Sequence, residues 1–102
     1  MAGGGSFLSD QNFTTLTADG QVKTFSGGST NIGPCRITYI QATGITNLKL
    51  YDAATASGNI IFESTFGSEG LDIMIPGSGI RFRNTVFADI TGSGSVTLGY
   101  TG

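Results

Sequence analysis

Residues 77–100, GSGIRFRNTVFADITGSGSVTLGY, alternate apolar and polar positions and are interrupted twice by Gly-Ser-Gly. Alternation with a period of two is typical of half-buried β-strands, because successive side chains of a strand point to opposite faces of the sheet. Glycine and serine between such runs are typical of turns. The stretch therefore predicts β-strands on either side of each Gly-Ser-Gly element, and no helix.

The two Gly-Ser-Gly elements predict two β-hairpins. A four-residue loop at 76–79 would pair Ile75 with Ile80, which places the apolar residues of both strands on one face. By the same argument, a three-residue loop at 92–94 would join the last two strands of the chain and supply a glycine where a bulge-type turn needs a positive φ. Phosphate binding by these glycines is not expected, because neither element is followed by a helical pattern.

Similar strand patterns fill the rest of the chain, and Asp19-Gly20 predicts a further tight hairpin. The predicted strands recur at intervals of about 8 to 12 residues, a spacing that is typical of sandwiches and barrels. We predict an all-β fold, a jelly-roll-like antiparallel β-sandwich of about eight short strands, as a single domain over residues 13–102. The predicted strands are 12–18, 21–25, 35–42, 46–52, 58–64, 70–75, 79–84, 85–90 and 95–101.

Composition argues against several classes of function. The net charge is −2 and the five basic residues are scattered, so nucleic-acid binding is not expected. No apolar run is long enough to span a bilayer, so no membrane partner is expected either. The chain has no histidine, which removes the commonest general base and most zinc sites. We therefore expect no enzyme, no cofactor and no metal.

The few groups that could carry chemistry have ordinary structural interpretations. A carboxylate pair could hydrolyse a glycosidic bond, but the candidates are interpreted as surface charges. These candidates are Asp52, Glu63, Glu69, Asp72 and Asp89. Cys35 is the only cysteine, so it has no intrachain disulfide partner, and we expect it to be a small buried apolar residue.

Alternation also predicts which apolar residues form the core and which lie on the outer face. The predicted core consists of Leu48, Leu50, Ile60, Phe62, Ile73, Ile75, Ile80, Phe82, Val96 and Leu98. The same pattern turns outward the apolar residues Ile40, Tyr51, Ile61, Met74 and Phe87, together with Arg36, Lys49, Arg81 and Arg83. So many outward apolar residues on a small domain predict a surface that a partner or a second copy covers, and we expect a homo-oligomer, with a trimer as the first expectation.

Residues 1–12 predict a flexible, glycine-rich N-terminal arm. Three consecutive glycines precede Phe7 and Leu8, so two anchor-sized apolar side chains lie at the end of a tether. Such a segment is suited to becoming ordered on a neighbouring protein. The alternative is a disordered terminus without a role. In the first case Phe7 and Leu8 belong to the predicted interface.

Two segments carry a resemblance to a known group of proteins. LKLYDAATASGNIIFES at 48–64 and GIRFRNTVFADITGSGSVTLGYTG at 79–102 resemble small all-β virion proteins of tailed bacteriophages. The resemblance implies a capsid decoration or cement protein, made in the host cytoplasm and bound to the assembled capsid surface, with the major capsid protein or other virion proteins as partners. It also leaves open a tail, baseplate or fibre-tip module that recognises a host-surface glycan. It carries no catalytic residues.

Overall fold

The computed structural model describes residues 12–67 and 70–101, and this part of the chain is all-β. Its strands form one hydrogen-bonded antiparallel sheet. They are β1 (Asn12–Leu16), β2 (Gly20–Gln21), β3 (Cys35–Tyr51), β4 (Ile60–Thr65), β5 (Leu71–Met74), β6 (Ile80–Phe82) and β7 (Phe87–Thr101). The predicted all-β, antiparallel class is confirmed, with seven strands in the described residues rather than about eight. The jelly-roll arrangement is not confirmed.

The centre of the sheet is a long ladder between β3 and β7. The pairing runs from Tyr51 opposite Phe87 to Arg36 opposite Thr101. The hairpin predicted at 92–94 is therefore wrong, because β7 continues through these residues as one strand. A hairpin and a continuous strand have the same alternation of apolar residues. In the folded chain the residues on both sides of 92–94 pair with β3 and not with each other.

One edge of the sheet is an interrupted strand. β4, β5 and β6 all pair with β3, one after another along its length. The hairpin predicted at 76–79 is also wrong, since the Ile75 N–H donates to the Thr38 carbonyl and Ile80 pairs with Ile37. Residues 76–79 form an excursion from the edge and return at Gly79, whose φ is +83°. A Cβ there would lie 2.5 Å from the Ile37 carbonyl oxygen, so the close return requires glycine.

The other edge is interrupted in the same manner. β1 and β2 both pair with β7, so the hairpin predicted at Asp19-Gly20 is wrong. Asp19 instead accepts a hydrogen bond from the Ile90 N–H with its carboxylate, at 2.7 Å. The sheet order is β1-β7-β3-β4, with β2 beside β7 and β5 and β6 beside β3. Within the described residues, no helix has the length and apolar character needed for a membrane span.

Irregularities in β3 control which of its residues reach the core. The register against β7 shifts between Ile37 and Tyr39 and again around Ile45. A β-bulge adds one residue to a strand, so the side chains beyond it change face. The prediction that Ile40 faces outward is therefore wrong: it is fully buried beside Ile37, because the bulge intervenes between them.

The predicted core is largely confirmed. Five members are fully buried, namely Leu48, Leu50, Phe82, Val96 and Leu98. Four others, Phe62, Ile73, Ile75 and Ile80, are partly buried and pack against the core. The prediction that Ile60 belongs to the core is wrong, because Ile60 is 45% exposed on the edge strand β4. Cys35 is buried, as its interpretation as a small apolar residue predicts.

Candidate interaction surface

A row of large side chains crosses the outer face of the sheet. Phe13 lies opposite Gly99, Gly99 lies opposite Tyr39, and Tyr39 lies opposite Met74. Directly opposed residues of an antiparallel sheet share a face, so the three side chains are neighbours. Phe13 is 55% exposed and Met74 is 77% exposed. Phe13, Tyr39 and Met74 are called the aromatic row below.

The aromatic row is held in place by its own contacts. The rings of Phe13 and Tyr39 meet edge to face, with centroids 6.2 Å apart. Gly99 between them leaves the space that the rings occupy, since a Cβ there would come within 2.8 Å of the Phe13 ring. The Tyr39 hydroxyl donates to the Asp72 carboxylate at 2.7 Å. This hydrogen bond is the main reason that the pKa of Tyr39 is raised above its ordinary value.

Strand β1 has a polar residue on its buried face and an aromatic residue, Phe13, on its exposed face. Thr14 is fully buried, whereas its apolar neighbour Phe13 is turned to solvent. Alternation normally buries the larger apolar residue, because burying a phenyl ring stabilises a protein far more than burying a threonine. The Phe13 ring covers Gly99, so part of its surface is still removed from water. The remaining exposed face of the Phe13 ring is available to a partner.

Polar and cationic residues flank the aromatic row. On one side, the Thr15 and Thr97 hydroxyls share a hydrogen bond of 2.9 Å, and exposed Gln41 lies opposite Thr97. On the other side, Arg36 lies opposite Arg81. An apolar centre with a polar margin is the usual composition of a protein–protein contact.

The structure places the predicted interface residues in several different environments. Met74 and Arg81 lie on the face of the aromatic row, and Arg83 is exposed just beyond β6. Ile61 is exposed, but it lies on β4, which pairs with the other half of β3. Phe7 and Leu8 lie outside the described residues.

Two residues of the predicted interface, Ile40 and Tyr51, are buried instead of facing outward. Ile40 is buried for the reason given above. Tyr51 is also buried, because the Phe87 ring packs edge to face against it at 6.4 Å. Phe87 itself is partly buried in this contact. The aromatic pair closes one end of the outer face and leaves neither ring fully open to a partner.

Sequence reasoning missed Phe13 and Tyr39, which form the centre of the candidate surface. The available signal was the spacing of Phe13 and Leu16 in NFTTL. Alternation places these two residues on opposite faces, so Phe13 faces outward once Leu16 packs against the core. Phe25 was also missed and is 60% exposed, but it belongs to the loop between Thr24 and Thr30 and not to the row.

Cys35 and Asp52 are two ionisable groups with structural roles. Burial raises the pKa of the Cys35 thiol to about 11, with a smaller contribution from the charge of Asp52, so the sulfur is protonated and unreactive near neutral pH. No group of three potential metal ligands occurs among the described residues. The exposed side chains of the aromatic row support binding through a surface.

Asp52 joins the end of β3 to the segment before β7. Its carboxylate accepts from the backbone N–H groups of Arg83 at 3.0 Å, Asn84 at 2.9 Å and Thr85 at 3.3 Å. Desolvation acts to raise the pKa of Asp52, but these hydrogen bonds outweigh it and lower the pKa below its ordinary value. Asp52 is therefore a connector of the fold and not a free catalytic carboxylate.

Replacing Asp52 by asparagine should lower the free energy of unfolding by about 1.5 kcal/mol at pH 7, because hydrogen bonds to a charged group are lost. A lowered native pKa stabilises the fold above the unfolded value of about 3.9, and this stabilisation is lost as pH falls through the native pKa. The difference between wild type and D52N should therefore shrink in acid. Urea unfolding of wild type and D52N at pH 7, and again at a pH below the native pKa of Asp52, measures this difference. Exposed Glu63→Gln is the control. A difference that does not change with pH would contradict the role assigned to the Asp52 carboxylate.

Comparisons of the chain with family models, curated proteins and solved structures find no match.

Proposed function

We propose that this protein is a structural virion protein of a tailed phage, a capsid decoration or cement protein that binds the assembled head. The observation that carries the proposal is the aromatic row, a solvent-exposed strip fixed on the outer face of the sheet. The resemblance of residues 48–64 and 79–102 to small phage virion proteins supports the same function. In this proposal the aromatic row contacts the shell.

The geometry of the row suits a permanent contact more than a transient one. Phe13 and Tyr39 are held by each other and by Asp72, so little side-chain freedom is lost when a partner binds. Aromatic residues and methionine are enriched in the centres of protein interfaces. A rigid strip of this kind recurs at every copy, which is what a regular shell lattice requires.

We also propose that the protein self-associates, with a trimer as the expected state. The support is a second exposed apolar site, Ile60 and Ile61, on the edge strand β4. A small domain gains apolar burial when copies associate, at about 25 cal/mol per Å² before the costs of association. β4 pairs with the second half of β3, whereas Tyr39 of the aromatic row lies in the first half, so self-association and shell binding use different residues.

Replacing Phe13 by serine should weaken attachment to phage heads by about 30-fold or more, because truncating a central aromatic anchor of an interface costs about 2 kcal/mol or more. The matched control is Phe25→Ser, which removes an equally exposed ring outside the row. Co-sedimentation of the tagged protein with heads assembled from the shell protein of the same genome measures attachment, and sedimentation velocity measures the oligomeric state.

Equal attachment of wild type and F13S would show that the aromatic row is not the contact. A loss that is the same for F13S and F25S would show a general effect of removing surface rings. Binding of the protein to tails but not to heads would contradict the decoration role.

A second candidate function is recognition of a host-surface glycan by a tail or fibre module. The observation that favours it is the position of Asp72 and Gln41, which lie beside the Tyr39 ring on the same face. Aromatic rings stack on the apolar faces of sugars, and carboxylate and amide groups bond their hydroxyls. Binding to host-surface polysaccharide that is lost in Tyr39→Ala, without attachment to heads, would favour this function over decoration.

A further inference from the structure

Two arginines lie side by side at the end of the sheet, next to the aromatic row. Arg36 of β3 is directly opposite Arg81 of β6, and on its other side Arg36 is directly opposite Thr101 of β7. Opposed residues share a face, so the two guanidinium groups and the threonine hydroxyl project from the same side of the sheet. They line an open cleft of about 270 Å³ whose other walls are Pro34, Cys35 and Phe82.

Among the described residues, the charges that line this cleft are unbalanced. Like charges directly opposite each other in a sheet are destabilising, yet Arg36 and Arg81 occupy such a pair. Within residues 12–67 and 70–101, no carboxylate forms an ion pair with either arginine. An anion placed between the two guanidinium groups would offset this repulsion. The cleft therefore carries two positive charges that an external ligand can neutralise.

We propose that the Arg36–Arg81 cleft binds a doubly charged tetrahedral oxyanion, that is, a phosphate or sulfate group. Each guanidinium presents a planar fork of N–H donors that matches two oxygens of such a group, and Thr101 adds a hydroxyl donor. A dianion neutralises both arginines, whereas a single carboxylate neutralises one. The inference does not depend on the proposed function, because simple inorganic anions test it.

The experiment is a titration of the full chain with inorganic phosphate and with sulfate, followed by ¹H–¹⁵N nuclear magnetic resonance at constant ionic strength. Sodium chloride is the reference and sodium acetate the monoanion. Phosphate and sulfate should shift the amide signals of Arg36, Arg81 and Thr101 with saturation, and acetate should bind more weakly. Arg36→Gln and Arg81→Gln should each weaken phosphate binding about tenfold or more, since each removes hydrogen bonds to a charged group.

The control variant is Arg83→Gln, which removes the same charge from an exposed residue that does not line the cleft. It should retain the phosphate affinity of wild type to within about twofold, a difference that surface screening can produce. A response to chloride equal to that of phosphate would overturn the proposal, because it would show screening alone. An unchanged affinity in both R36Q and R81Q would overturn it as well.

A second readout separates anion binding from a structural role of the arginines. Without added anion, R81Q should have a melting temperature equal to or above that of wild type, because the repulsion from Arg36 is removed. With saturating phosphate, wild type should gain stability and R81Q should not. A fall in the melting temperature of R81Q without anion, combined with an unchanged gain in phosphate, would assign the pair to the fold.

The same titration distinguishes a free anion from an anion carried on a larger molecule. Glucose 6-phosphate presents the phosphate group on a sugar. Tighter binding of glucose 6-phosphate than of inorganic phosphate would support a group borne on a glycan, and equal binding would support recognition of the oxyanion alone. Binding of neither compound overturns the proposal.

Discussion

Replacing Phe82 by alanine should lower the free energy of unfolding by about 3 to 5 kcal/mol, as truncation of a buried phenylalanine does in other cores. Phe82 is only 1% exposed and lies opposite Cys35, where β6 closes the edge of β3. The ring belongs to the buried core cluster, together with Cys35 and Ile37. Removing it would leave a cavity among side chains that are already packed, which is the costly kind of truncation.

Equilibrium urea unfolding, monitored by far-ultraviolet circular dichroism, measures the effect. Phe25→Ala is the matched control, because it removes the same ring from a position that is 60% exposed, and it should cost less than about 0.5 kcal/mol. A loss below about 1 kcal/mol for F82A would mean that the two faces of β6 are exchanged in solution.

Replacing Gly94 by alanine should cost at least about 3 kcal/mol, and the variant is expected to accumulate as insoluble protein. A Cβ at this position would lie 1.7 Å from the Thr43 carbonyl oxygen and 2.6 Å from the Gly44 Cα. Both neighbours are backbone atoms of the central ladder, so a side-chain rotation cannot relieve the clash. The strands β3 and β7 would have to separate at this point of their pairing.

Gly33→Ala is the control for this substitution. Gly33 has no atom within 4 Å of an added Cβ and no positive φ, so the extra methyl group should be tolerated. Thermal unfolding of both variants, together with their soluble yield, tests the prediction. Wild-type stability of G94A would show that residues 92–94 turn outward as a hairpin, which is the arrangement that the sequence alone predicts.

The fold class and most of the core could be predicted from alternation, because it depends on nearest neighbours. Leu48, Leu50, Val96 and Leu98 lie in regular stretches of ladder, where a period of two decides the face. Ile40 lies beyond a bulge, and the position of a bulge depends on how two strands fit together. A one-residue shift then reverses the face of every following residue.

The strand connections could not be predicted for a related reason. Gly-Ser-Gly at 92–94 is as suitable for a close approach between strands as for a hairpin turn. The choice depends on Gly44 and Ile45, which lie next to these residues in the sheet and far from them in sequence. The same holds for 76–79, where β3 supplies the hydrogen bonds that a hairpin partner would have supplied.

The candidate surface was predicted in part. Met74 and Arg81 were assigned to it because their own strands alternate regularly. Phe13 and Tyr39 gain their position from neighbours on three different strands and from the absence of a side chain at Gly99. That combination becomes visible only when the register between distant strands is known.

The place of β7 in the sheet decides the order in which the protein can fold. β7 lies between β1 and β3, so the pairs Asn12 with Tyr100 and Arg36 with Thr101 connect early and late parts of the chain. Until β7 has been synthesised, β1 has no partner in the sheet and β3 is paired on one side only. Chains with mainly non-local pairings fold slowly, on the order of milliseconds to seconds. Until β7 has paired with β3, the apolar residues of β3 are exposed to other nascent chains. The yield of soluble protein should therefore depend on how quickly β7 is synthesised and pairs.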